Sequence, residues 1–122
     1  MRAQEIELDQ VRFVNFRYTV PASTRVVLET DAPSTGYITH ATFHFPPGCL
    51  SLVSVRVLLE REPVWPVGET YVALDDATPT YAFIYPGQKV KKYDYLTCEL
   101  VNNDTVNSHT VSVILILQGS LS

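Results

Sequence analysis

This chain is short of almost everything that marks a specialised class of protein. It offers no convincing helix: alanine and lysine are sparse in its apolar runs, which are filled by β-branched and aromatic residues instead. Two cysteines are too few for a disulfide framework. Cys98 shares a strand face with Leu96 and Leu100, so a buried free thiol is the plainer reading and a bridge to Cys49 the other. No apolar run reaches the ~18 residues of a membrane span. The opening MRAQEIELDQ lacks the apolar stretch of a signal peptide, which leads us to expect synthesis in a cytoplasm without export through a signal sequence. Basic residues number 9 against 13 acidic ones, a net charge of −4. That balance disfavours a nucleic-acid partner, which calls for a basic face. The one basic cluster, Lys89, Lys91 and Lys92, reads as a solvated strand edge.

Chemical signatures are equally thin. There is no G-x-S-x-G elbow, no H-E-x-x-H and no glycine-rich phosphate loop. His40 and His44 fall on one strand face, where a spacing of four residues is roughly 13 Å, too far to share a metal. Asp75-Asp76 lies in a turn, where carboxylates commonly accept backbone N–H bonds. The segment VNNDTVNSHTV (101–111) looks like the stretch of cupredoxins that carries their first copper-binding histidine. Blue copper also needs a cysteine and a second histidine, usually with a weak axial methionine. No Cys, His or Met follows His109. We therefore expect no catalytic residues, no metal and no cofactor.

What the chain does have is strands. At 122 residues, with 46% hydrophobic and 18% charged residues, it is expected to form one domain with a sizeable core. Strand-type runs cover 11–20, 24–30, 36–45, 50–60, 70–74, 81–85, 89–101 and 109–118, separated by turn signals every ~8–14 residues. Alternation places Val14, Phe16, Tyr18 and Val20 on one face of the first run and Tyr37, Ala41, Phe43 and Phe45 on one face of the third. Val53, Val55, Val57 and Leu59 form an inward stripe in the fourth, expected to pack against Val111, Val113 and Leu115 of the last. REPVWPVGE (61–69) reads as a loop. The expectation is an all-β fold: a single antiparallel β-sandwich of about eight strands, jelly-roll-like, over residues 11–119. Residues 1–10 form an arm or edge strand, and 120–122 a tail.

Two features bear on function. Trp65 lies in a loop with Tyr71, Tyr81, Tyr85, Tyr93 and Tyr95 near it in sequence. Exposed aromatics on a sandwich can stack on sugar rings, so Trp65, Tyr71, Tyr81 and Tyr85 are candidate glycan or partner contacts; filling the core is the alternative. The last run is apolar on both faces, with Ile114 and Ile116 opposite the Val111–Leu117 stripe. A strand apolar on both faces is covered on both, which makes Ile114 and Ile116 candidates for a subunit interface.

GYITHATFHFPPG (36–48), SLVSVRVLLE (51–60) and VNNDTVNSHTVSVILILQ (101–118) together resemble small jelly-roll-like sandwich proteins of virus and phage particles, of the capsid decoration, cement or spike type. The resemblance covers most of the domain and is one of architecture, with no diagnostic motif. It implies a non-enzymatic structural protein of the virion. Such a protein would assemble in the host cytoplasm as a homo-oligomer, bound to a capsid or other assembly protein, with no membrane and no nucleic-acid contact. A carbohydrate-binding sandwich module is the alternative, with a glycan as its partner.

Overall fold

The computed structural model describes residues 10–66 and 71–119. Nine strands fill it: β1 (Gln10–Val20), β2 (Thr24–Asp31), β3 (Gly36–His44), β4 (Val53–Leu59), β5 (Glu62–Trp65), β6 (Thr80–Ala82), β7 (Gln88–Val90), β8 (Tyr95–Asn102) and β9 (His109–Gly119). They form two antiparallel sheets. One runs β1-β9-β3-β6, with β7 also on β3; the other runs β2-β8-β4-β5. β6 and β7 pair with successive stretches of β3, His40–Thr42 and Gly36–Ile38, and so share one position in the sheet. The pairs β1·β9, β2·β8, β3·β6 and β4·β5 are then nested inside one another. A long hairpin rolled into two sheets in this way is a jelly roll. Among the described residues no helix is long and apolar enough to cross a membrane.

The core lies between the sheets. Val53, Val55, Val57 and Leu59 of β4 and Val111, Val113, Leu115 and Leu117 of β9 are all buried in one cluster, as strict alternation requires. One open side of the sandwich is plugged by aromatics. Trp65 of β5 packs on Tyr81 of β6 at 4.8 Å between ring centroids and on Phe83 at 5.3 Å. Tyr81 in turn meets Phe43 edge-on.

Several expectations need correction. A β-bulge between Ile38 and His40 resets the alternation of β3, so Ile38 is buried with Ala41, Phe43 and Phe45 while Tyr37 turns outward and is half-buried. Tyr18 keeps the parity of Val14 and Phe16 but is 44% exposed on its edge strand. The segment read as a loop at 61–69 contains β5. It follows a two-residue turn in which Glu60 and Arg61 both have positive φ, 50° and 71°, the geometry of a type I′ hairpin. The Glu60 carboxylate accepts a bond from the Tyr95 N–H, which fastens this turn to β8. Of the run read as a strand at 70–74, Thr70 lies outside the described residues and, among the described ones, Val72 makes a single bridge to Val55. The run read as one strand at 89–101 is β7 and β8, parted by a turn in which the Lys91 N–H donates to Asp94. The run at 81–85 stops as a strand at Ala82. The chain then loops out, and Gly87, at φ 115°, returns it against the Ile38 carbonyl, where a Cβ would collide. Residues 1–9 of the expected arm and the tail 120–122 lie outside the described residues, and Gln10 belongs to β1.

Candidate functional site

The surface that stands apart from an ordinary polar exterior is the outer face of the sheet containing β1, β9 and β3. β9 is its central strand, so each outward residue of β9 has a neighbour on both sides. Ile116 stands between Phe13 and His40, Ile114 between Asn15 and Thr42, and Ser112 between Arg17 and His44. Ile114 and Ile116 are half-buried there, while Phe13 is 65% and Val11 58% exposed. Cross-strand neighbours on one face lie about 4.5–5.5 Å apart at Cβ. Phe13 and Ile116 thus make a directly paired apolar spot, extended by Ile114 and Val11.

Polar residues frame this spot. Thr42 Oγ1 and Thr80 Oγ1 share a hydrogen bond of 2.8 Å, as do His44 Nδ1 and Thr78 Oγ1 at 2.8 Å. A shallow cleft of about 370 Å³ opens next to Ile114, with Asn15, Arg17, His44 and Ser112 in its wall. An aromatic and aliphatic centre with a polar rim that includes an arginine is the anatomy of a protein contact surface. Phe13 escaped the sequence reading, which placed Val14 and Phe16 inward. The signal was present: β1, like β9, is apolar on both parities.

The four candidate aromatics go to three different places. Trp65 and Tyr81 belong to the half-buried plug, their rings tilted by 40°, and the Trp65 Nε1–H is buried with no acceptor among the described residues. Tyr85 is 94% exposed beside Ile84, also 94% exposed, at the tip of the loop after β6. Tyr71 lies over the other sheet, where its hydroxyl donates to Glu99 and its ring sits under Arg56. The four do not meet on one surface.

Two clusters of ionisable groups are internal ties. Glu99, on the outward face of β8, accepts from Arg25 Nε at 2.7 Å, Arg56 Nε at 2.8 Å and the Tyr71 hydroxyl at 2.9 Å. Burial pushes its pKa up, and the bonds from Arg25, Arg56 and Tyr71 outweigh that and hold it below the ordinary carboxylate value. In the β8–β9 turn, Asp104 accepts from the N–H groups of Val106 and Asn107 and from His109 Nε2. The buried Asn102 amide donates to the carbonyls of Val20, Pro21 and Asn107, tying this turn to the end of β1. His109 is therefore engaged by a carboxylate. His40 and His44 are exposed and bonded to Thr39 and Thr78. Asp75 accepts from the N–H groups of Gly48 and Leu50. Among the described residues no three His, Cys, Asp or Glu converge as a metal site would need. Cys49 and Cys98 are free and buried; burial, followed by the charge of Glu99, raises the Cys98 thiol to about 12.

No family model matches the chain, and no curated protein matches it. Among solved structures it is similar to a crystal structure of FLHE, with 11% identity and a TM-score of 0.44, over 92% of this chain and 99% of that one. A likeness at that level carries no argument about function.

Proposed function

We propose that this chain is a non-enzymatic structural protein that works by protein–protein contact through the outer face of the β1-β9-β3 sheet. The observation that carries the reading is the apolar spot of Phe13, Ile114 and Ile116 on a face that alternation assigns to water. Full burial of such a side chain is worth roughly 1.5–3 kcal/mol; Phe13, 65% exposed, forgoes most of that, and the half-buried Ile114 and Ile116 forgo a part of it. A place in a virus or phage particle, assembled in the host cytoplasm, is the setting suggested by the resemblance in sequence texture. The jelly-roll order is compatible with it, since capsid domains use that fold, as do lectins and cupins.

The test is Ile114→Asp, followed by light scattering and circular dichroism. The inward stripe of β9 is untouched, so the fold is expected to persist while self-association or docking weakens. A variant that assembles and docks like the wild type would overturn this reading. One that unfolds outright would place this face within its own subunit's packing.

A further inference from the structure

Charge is divided between the two sheets. Strands β1, β9, β3, β6 and β7 contain no Asp or Glu, although the chain as a whole carries −4. The acidic residues of the described strands all lie in the other sheet, as Glu29, Asp31, Glu62 and Glu99. The contact face thus belongs to the acid-free sheet of an acidic protein, and electrostatic complementarity there selects a partner that brings negative charge.

One row of that face has the donors a carboxylate needs. Arg17, Ser112 and His44 are in register across β1, β9 and β3. Adjacent strands lie about 4.8 Å apart, so Arg17 and His44 stand roughly 10 Å from each other at Cα. Only the short Ser112 side chain lies between them, and this difference in length forms the floor of the cleft of about 370 Å³. No carboxylate is among the described residues that line it. The exposed Arg17 guanidinium makes no ion pair and no ring contact among the described residues. The His44 ring is held at Nδ1 by Thr78 Oγ1, and its Nε2 has no hydrogen-bond partner among the described residues. A guanidinium fork, a hydroxyl and an imidazole N–H supply donors for both oxygens of a carboxylate.

The surroundings of the cleft favour an acid carried by a protein. A free anion in an open cleft gains what an exposed ion pair gives, which is little. Ile114 lines the cleft and also belongs to the apolar spot, about 7 Å from Ser112 along β9. An acidic side chain with an apolar neighbour gains the burial of Ile114 as well. A phosphate backbone finds no second cation within reach: Lys89, the lysine of this sheet, pairs with Tyr37, seven residues or roughly 23 Å along β3 from His44.

We propose that the cleft over Ser112 is a carboxylate-binding subsite, which receives an Asp or Glu side chain of the partner protein while an apolar residue of the same partner sits on Ile114. The inference rests on the contact role proposed above and names the chemistry of the partner.

The probe is the acetylated tripeptide amide Leu-Thr-Glu. Its only carboxylate is the Glu side chain, and its outer two side chains stand about 7 Å apart on one face when extended. Titrated into the wild type, it should shift backbone amide resonances centred on Arg17, Ser112 and Ile114. Arg17→Gln should weaken binding by about fivefold, the upper range for an open ion pair. Arg17→Lys keeps the charge without the fork and should fall between the two. The Leu-Thr-Gln peptide should bind the wild type about as weakly as the Glu peptide binds Arg17→Gln. Equal binding of the two peptides to the wild type would overturn the proposal, as would shifts gathered on Lys89, Lys91 and Lys92 instead. Inorganic phosphate is the competing probe. If it binds more tightly than the Glu peptide and is lost in Arg17→Gln, the cleft serves a free anion and the partner's acid is ruled out. The two readings fail separately, because the peptide titration does not depend on self-association. Loss of assembly in Ile114→Asp, with a wild type that ignores the Glu peptide, keeps the contact face and overturns the acidic partner. The reverse pair of results keeps the carboxylate cleft and overturns the contact face.

Discussion

The imidazole of His109 donates from Nε2 to Asp104 Oδ2 at 2.8 Å, across the turn that joins β8 to β9. The same carboxylate receives the N–H groups of Val106 and Asn107 through its other oxygen. These partners, the Val106 N–H foremost and then His109 and the Asn107 N–H, lower the Asp104 pKa to about 2. The ordinary value is about 4.

A dependence of stability on acid follows. A carboxyl whose pKa is lower in the folded chain contributes stability above its unfolded value and loses it as pH falls through the folded one. The contribution of Asp104 is thus complete above about pH 4 and lost on the way to about pH 2. Urea melts across that range should show a falling midpoint, and Asp104→Asn should start lower at pH 7 and fall less. Glu99, also held low, adds to the wild-type slope in the same direction, so the difference between the two proteins isolates Asp104.

Val55 is fully buried in the centre of β4. Val55→Ala removes two methyl groups from a packed core, and its cost, burial plus residual cavity, is expected at about 1–3 kcal/mol. Equilibrium denaturation with an unchanged m-value checks this. Ser54→Ala, next to it on the outward face, should cost far less.

The thiols should be silent in the native protein. Cys98 is buried beside Glu99 with its pKa at about 12. Burial and then the charge of Asp75 raise that of Cys49. The thiolate is the reactive form. A thiol reagent at pH 8 should therefore count no cysteines in the folded chain and two after denaturation.

The sequence made the architecture legible wherever alternation ran undisturbed. The stripes of β4 and β9 are placed as period two dictates, and the turns at Pro21 and Pro46-Pro47-Gly48 end strands where proline and glycine demand it. It failed where backbone geometry came without its usual residues. Glu60-Arg61 forms a tight hairpin without Asn-Gly, so β5 was hidden in a proline-rich stretch. Lys91–Asp94 turns the chain without glycine or proline, helped by Tyr93 at φ 76°, and so β7 and β8 read as one. The bulge at Ile38–His40 is invisible to any fixed period. Of the candidate contact surface, Ile114 and Ile116 stood out because they make the last strand apolar on the face opposite its inward stripe. Phe13 did not, because recognising it requires knowing that β1 lies beside β9.

The nesting of β1 against β9 also sets an order of events during synthesis. Among the described residues, every ladder bond of β1 is made to residues 109–119, which are synthesised after all the other described strands. Until then QVRFVNFRYTV has neither edge paired and its aromatic side chains uncovered, in a topology whose distant contacts form slowly. Arg12 and Arg17, the only charges in that run, then act as gatekeepers that keep unfinished chains from pairing indiscriminately.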